Sequence, residues 1–251
     1  MRSAALCAIV VCAGFVTATA ASNSILSLSH YDEGAPDYAG LRKEGIEAII
    51  HEATYPTEAD ARYAGRQVNA ARAGMRWGAY HFGNATDGKR QADRFIDVVG
   101  LSANRVQGSD GKVLLILDAE QNTHYPGGTM RVQQAVDFIK RVKERTGVYP
   151  GFYSNENWVK SLFNSSSVDA SSKETIKNCF LWVANYHKAP SSTAPWSNWM
   201  LWQYTGDGIC GLPRNGYPIH AGNLRKVERT IFGGSREALR SFWDSHSWSP
   251  K

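Results

Sequence analysis

The residues best suited to chemistry close one apolar run. In VLLILDAEQN, residues 113–122, five aliphatic side chains are followed by Asp118 and Glu120, with a single alanine between them. In an extended strand, residues two apart point to the same face, about 6.6–6.8 Å apart along the chain. Two carboxyls so placed in a poorly hydrated cleft raise each other's pKa, and one keeps its proton near neutral pH. A protonated acid of this kind is what general acid catalysis requires. Acids at strand ends also serve merely to meet solvent or an arginine; the long aliphatic run and the aromatic ends of the other strands favour catalysis here.

Those other ends follow from the hydrophobic pattern. Strand-like runs occur at SILSLS, EAIIHEAT, RWGAYHF, VLLILDAE, YPGFYS, FLWVANY and WMLWQYT. Helix-like segments separate the first four: YAGLRKEG stops at Gly45, DARYAGRQVNAARAG stops at Gly74, and KRQADRFIDVVG follows the third run. After the fourth, Val132, Val136, Ile139 and Val142 recur at helical spacing. Strand–helix alternation implies parallel strands with right-handed crossovers. The later connections look short or loop-like, NSSSVDASSKE (164–174) reads as a surface loop, and SREALRSFWDSH reads as a closing helix. The expected fold is a single-domain α/β barrel, regular in its first half and irregular in its second.

In such barrels the working residues sit at the C-terminal strand ends. These ends carry Ser27, Ser29 and His30, then Glu52 and Thr54, Tyr80 and His81, the Asp118–Glu120 pair and Tyr153. The last two carry Trp182, Asn185 and Tyr186, then Trp202, Gln203 and Tyr204. Rings beside acids and amides suit a carbohydrate, whose C–H faces stack on aromatics while its hydroxyls take hydrogen bonds.

The N-terminus MRSAALCAIVVCAGFVTATAA pairs Arg2 with a short apolar run and ends in Ala18-Thr19-Ala20, which reads as a secretory signal peptide over residues 1–20. The run is too short for a spanning helix, which needs about 20 apolar residues. Residues 21–251 then form one catalytic domain, secreted or periplasmic, with no membrane attachment after cleavage. Removal of the leader takes Cys7 and Cys12 with it, leaving Cys179 and Cys210; one disulfide between them is possible, two free thiols being the alternative. The formal charge of +5 becomes +4 without Arg2, and its basic residues are scattered. Such a charge suits an anionic wall polymer as well as plain solubility, and no finger, RNP-like or basic-arm pattern supports nucleic acid.

Several short motifs fail on context. GDGICG satisfies G-x-G-x-x-G but is followed by LPRNGYP, which opens no helix. HEATY lacks the second histidine of a zinc-protease helix, no G-x-S-x-G is present, and neither a metal nor a cofactor is expected. Asn164-Ser165-Ser166 is a glycosylation sequon.

Taken in order, SLSHYDEG, GMRWGAYHF followed by QADRF, LLILDAE, RTGVYPGFYSN, LWVANY, WMLWQYTGDG and VERTIFGGSREALRSFW resemble the family 25 glycoside hydrolases, the Chalaropsis-type lysozymes, over residues 25–243. The resemblance implies a flattened, irregular (β/α)5β3 barrel. It also implies a partner in peptidoglycan glycan strands, cut at the β-1,4 bond between N-acetylmuramic acid and N-acetylglucosamine; a monomer is expected. Glu120 matches the family's catalytic acid, and Asp118 matches the partner that assists the substrate's N-acetyl group or stabilises positive charge. Tyr80, Tyr153, Trp182 and Trp202 fall at matching cleft positions, and Tyr186 is expected beside them. Two positions depart from the pattern: Ser27 stands where the first strand is expected to carry Asp, and Glu228 stands where an Asp is expected before the final F-x-G. Those departures leave open a non-catalytic or weakly active wall-binding protein on the same fold, and a glycosidase with the same mechanism acting on chitin-like polymer is a further alternative.

Overall fold

A computed structural model describes residues 21–106, 111–164 and 168–250. The expected leader, with Cys7 and Cys12, and the sequon's two serines lie outside the described residues. Eight strands close a barrel. Seven of them, β1 (Ser22–Leu28), β2 (Ala48–Thr54), β3 (Arg76–Phe82), β4 (Val113–Asp118), β5 (Gly151–Asn155), β6 (Leu181–Ala184) and β7 (Leu201–Thr205), run parallel in chain order. The eighth, β10 (Glu228–Phe232), pairs antiparallel with both β7 and β1.

The first four crossovers each carry a helix: α1 (Tyr38–Lys43), α2 (Tyr63–Arg72), α3 (Gly88–Ala103) and α4 (Val132–Thr146). The fifth carries α5 (Glu156–Asn164) and α6 (Ala170–Lys177), whereas a two-stranded hairpin, β8 (His220–Ala221) and β9 (Leu224–Arg225), interrupts the path from β7 to β10. Helix α7 (Arg236–His246) ends the fold. Five β/α units followed by three barrel strands is the expected (β/α)5β3 order. Two segments differ from expectation: Glu156–Asn164, in a connection expected to be short or loop-like, forms α5, and Ala170–Glu174 of the expected surface loop belongs to α6. Its Ser-rich composition hides the helix, but Asp169 accepts from the Ser172 N–H as an N-cap and Ile176 is buried beneath it.

Local chemistry explains the regular part. Asp87 accepts from the Lys89 and Arg90 N–H groups at the start of α3, and Gly147 takes a left-handed φ of 78° to end α4. Two apolar layers follow from the alternation of side chains along the strands. Outward residues such as Leu26, Ile49, Leu115, Leu117 and Phe152 pack under the helices, and inward residues such as Ile25, Ile50, Leu114 and Ile116 fill the barrel. Helix α7 plugs the end at which the parallel strands begin: Leu239, Phe242 and Trp243 join the inner cluster, and Trp243 Nε1 donates to the Trp77 carbonyl at 3.0 Å. Buried Glu47 anchors that plug by accepting from Arg240 at 2.8 and 3.0 Å. With that end filled, the acids of the barrel interior gather at the opposite mouth, where the parallel strands finish.

Candidate active site

Strand β4 keeps its alternation past its last ladder residue. Ala119 faces the outer core, where its N–H donates to the Tyr153 carbonyl at 2.9 Å and its carbonyl accepts from Ser154 Oγ at 2.9 Å. Asp118 and Glu120 therefore both turn inward, and both line one hollow of about 440 Å3. A second hollow, of about 570 Å3, adjoins it and shares Glu120 and Tyr153 as lining residues. The two together make a groove across the barrel mouth, with Glu120 at its midpoint and wall on either side, a size that suits successive sugar units.

Electrostatics at this mouth are dominated by buried acids. Asp118 is 5% exposed, and its Oδ1 has no hydrogen-bond partner among the described residues. Burial holds its carboxyl well above the usual range, reinforced by the charges of Glu120, Glu52 and Glu228. Glu120, less enclosed, is pushed up to about 7 by burial and by the charge of Asp207. Glu228 is pushed up to about 8 by burial and then by Asp32, Asp207, Glu120 and Glu52. Near neutral pH the cleft therefore holds protons on carboxyls that would be ionised in water, which is the state a general acid needs.

Most of the expected site residues meet here. Tyr80, Trp182 and Glu228 line the hollow that holds Asp118, and Tyr186 lines the other with Tyr153. The Tyr153 and Trp182 rings pack at 4.5 Å between centroids, and Trp182 Nε1 donates to Thr230 Oγ1 at 3.2 Å, which fixes the indole across the barrel. Ser27 is fully buried on the inner face, directly opposite Glu228 in the β1–β10 ladder.

Two expectations are corrected. Trp202 does not enter the cleft: it faces outward into a cluster with Tyr204 and Ile231, packs on Trp199 and Tyr217, and donates from Nε1 to the Asn185 carbonyl at 2.8 Å. Its neighbour Gln203 takes the inward position and is 1% exposed. The Cys179–Cys210 disulfide is also absent, both being free thiols. Cys179 precedes β6 at the plugged end of the barrel, whereas Cys210 follows β7 at the open mouth. Because β6 and β7 are parallel neighbours, those positions lie at opposite ends of the strand pair, beyond the reach of a disulfide.

Other cleft residues have no clear signal in the sequence. Tyr31, Phe82, His124, Tyr125 and Asp207 line the hollow beside Asp118. Tyr125 stacks on Tyr55 at 5.3 Å and meets Phe82 edge-on at 5.2 Å. Its loop is shaped by Asn122, whose side chain donates to the Tyr125 and Gly128 carbonyls. On the far side, Glu156 accepts from the Ser191 and Ser192 N–H groups at 2.8 and 2.7 Å and so holds the loop after Tyr186 against α5.

Among the described residues, one group has ligand atoms close enough for a metal ion: His30, Glu52 and Asp60, all within 4.8 Å of one another. His30 Nδ1 is already hydrogen-bonded to Glu52, and the guanidinium of Arg66 lies against the adjoining His51 at 3.0 Å. A cation there would displace the first contact and face the charge of the second, so the group does not read as a metal centre.

Residues 27–211 match the family model described as glycosyl hydrolases family 25. The chain belongs to that family. Lysozyme M1 of Streptomyces globisporus is 28% identical over 223 residues, covering 85% of this chain and 69% of that protein. The autolytic lysozyme of Clostridium acetobutylicum is 26% identical over 156 residues, which span 61% of this chain and 42% of that longer protein. The crystal structure of a bacterial lysozyme from Streptomyces coelicolor superposes with a TM-score of 0.67 and 26% identity, covering 90% of this chain and 99% of that one. The protein is thus a family 25 glycoside hydrolase on a (β/α)5β3 barrel. No helix among the described residues is long and apolar enough to cross a membrane.

Proposed function

We propose that the protein is a secreted muramidase that hydrolyses the β-1,4 bond between N-acetylmuramic acid and N-acetylglucosamine in peptidoglycan. The observation that carries this reading is the position of Glu120, raised to about 7, at the junction of the two hollows and on the same inner face as Asp118. A bond laid across that junction has sugar on both sides of the acid, as an internal cut in a polymer demands. Residues 1–20 act as the signal peptide in this reading, and residues 21–251 work as one monomeric catalytic domain.

Asp118 is the deeper of the two acids, and before substrate binds its burial favours the protonated carboxyl. An N-acetyl N–H donated to Asp118 favours its charged form and shifts the shared proton toward Glu120. Glu120 then protonates the glycosidic oxygen while the acetyl carbonyl oxygen attacks the anomeric carbon and the leaving sugar departs. Water, deprotonated by Glu120, attacks the same carbon, reopens the ring and restores the starting anomer. Direct attack by the Asp118 carboxylate is the competing version of the first step.

Mass spectrometry of purified peptidoglycan digested by the mature protein tests the reading. New reducing ends on N-acetylmuramic acid are expected, with chitooligosaccharides left intact. Reducing ends on N-acetylglucosamine, or cleavage of chitooligosaccharides alone, would overturn the substrate; wall binding without cleavage would overturn the activity.

A further inference from the structure

The inner face of β1 offers the cleft no acid. Ile25 fills the barrel, and Ser27, next along that face, is fully buried with an Oγ that finds no hydrogen-bond partner among the described residues. The ladder sets Ser27 against Glu228 on one side and Ile50 on the other. Two residues beyond Ile50, on the same face of β2, stands Glu52, 2% exposed and lining the hollow that holds Asp118 and Glu228. An acid so enclosed needs a partner. Its partner is His30, which follows β1, is hydrogen-bonded through Nδ1 to Glu52, and packs against the Tyr31 and Tyr55 rings at 3.9 and 4.7 Å.

We propose that Glu52, held in place by His30, is a positioning residue that supplies from β2 the carboxylate facing Asp118 that β1 does not provide at Ser27. The inference rests on the muramidase reading and gives Glu52 a share in setting the protonation of the Asp118–Glu120 pair. The ionisable groups around Glu52 come from several strands and loops. His30 reaches it from the end of β1 and Tyr80 from the neighbouring strand β3. Asp118 and Glu228 share its hollow, with Tyr125 from the loop after β4. Asp60, from the loop after β2, and Tyr55, which feels the charge of Glu52, also lie close, and Glu120, Asp207 and Tyr31 line the same hollow. Among the described residues His30 is the side chain in direct hydrogen-bond contact with the Glu52 carboxyl. In agreement, the Asp118 proton is held by burial first and then by the negative charges of Glu120, Glu52 and Glu228.

The test is the pH profile of peptidoglycan turnover, read beside the Asp118 carboxyl titration followed by 13C NMR without substrate. In Glu52→Gln the loss of a nearby negative charge lets Asp118 ionise more easily, so its titration and the falling limb of the profile move down by about one pH unit. On that limb kcat drops about tenfold while KM changes less than about twofold. Glu52→Asp keeps the wild-type profile, and adding Ser27→Asp to Glu52→Gln moves the limb back up. Ser27→Asp alone, which needs no change at Glu52, moves the limb upward. An Asp118 titration that is the same in wild type and Glu52→Gln, or that Ser27→Asp leaves unmoved, would overturn the proposal. Failure of the wild type to release reducing ends would instead sink the muramidase reading, with the NMR titration still deciding the role of Glu52.

Discussion

Ser27 and Glu228 are direct partners across the antiparallel ladder between β1 and β10, so an unpaired buried hydroxyl stands beside an enclosed carboxyl. Glu228 depends on its proton for a different reason, its burial among other acids. Burial and the surrounding acids push it to about 8, whereas an unfolded glutamate titrates near its ordinary value of 4.5.

The sign of the resulting pH dependence follows from proton counting. Between pH 4.5 and about 8 the unfolded chain releases a proton that the folded protein keeps, so rising pH erodes stability across that window. Glu228→Gln removes this titration. The variant is expected to be more stable than wild type at pH 8 by on the order of a few kcal/mol, and so to melt higher, with the difference vanishing near pH 4. Thermal melts at both pH values check it; a gap that widens toward acid pH would contradict it.

Turnover carries its own pH signature. In the proposed mechanism the Asp118–Glu120 pair works with one proton, so activity is expected to rise as the first proton leaves and fall as the second does. With Glu120 pushed up to about 7 and Asp118 also held well above the usual carboxylate range by burial, the falling limb belongs well above the pH at which a free carboxyl titrates. Initial rates of reducing-end release across pH 4–10 test this, and a limb below pH 5 would refute it. Glu120→Gln should lower kcat by about 10²–10⁴-fold at every pH while leaving wall binding intact.

Trp202 separates folding from substrate binding. Its indole is 4% exposed on the outer face of the barrel, so Trp202→Ala is expected to cost about 3–5 kcal/mol of stability, while KM measured well below the melting temperature stays near wild type. Trp182→Phe, inside the cleft, should raise KM instead. Denaturation curves and steady-state kinetics on the two variants distinguish the positions.

Cys179 and Cys210 are expected to be alkylated without prior reduction, and a reducing agent should leave the melting temperature unchanged. Mass spectrometry after alkylation under denaturing conditions reads both thiols directly. Recovery of a linked Cys179–Cys210 peptide would show that the two barrel ends come together in a way the fold forbids.

Much of the architecture is legible in the chain because it rests on local rules. Helical stripes ended by glycine mark α1, α2 and α4, and the two-residue period of a strand puts Asp118 and Glu120 on one face whatever surrounds them. Helix α6 is hidden because serines carry little helical signal and its cap and single buried isoleucine count only once the helix has a surface to dock on.

What the sequence determines by itself is the placing of Asp118 and Glu120 on one face and the order of the elements, since spacing, periodicity and caps act within a few residues. Which face of β7 looks into the cleft is a tertiary decision. All five residues of Leu201–Thr205 are buried, so the hydrophobic pattern carries no parity, and ladder pairing and barrel closure turn Gln203 inward and Trp202 out. The place of Glu52 is decided in the same way. Only the alignment of β2 beside β1, and the return of His30 over it, brings that carboxylate into the hollow with Asp118, because a contact between residues 22 apart depends on how strands pair and not on local spacing.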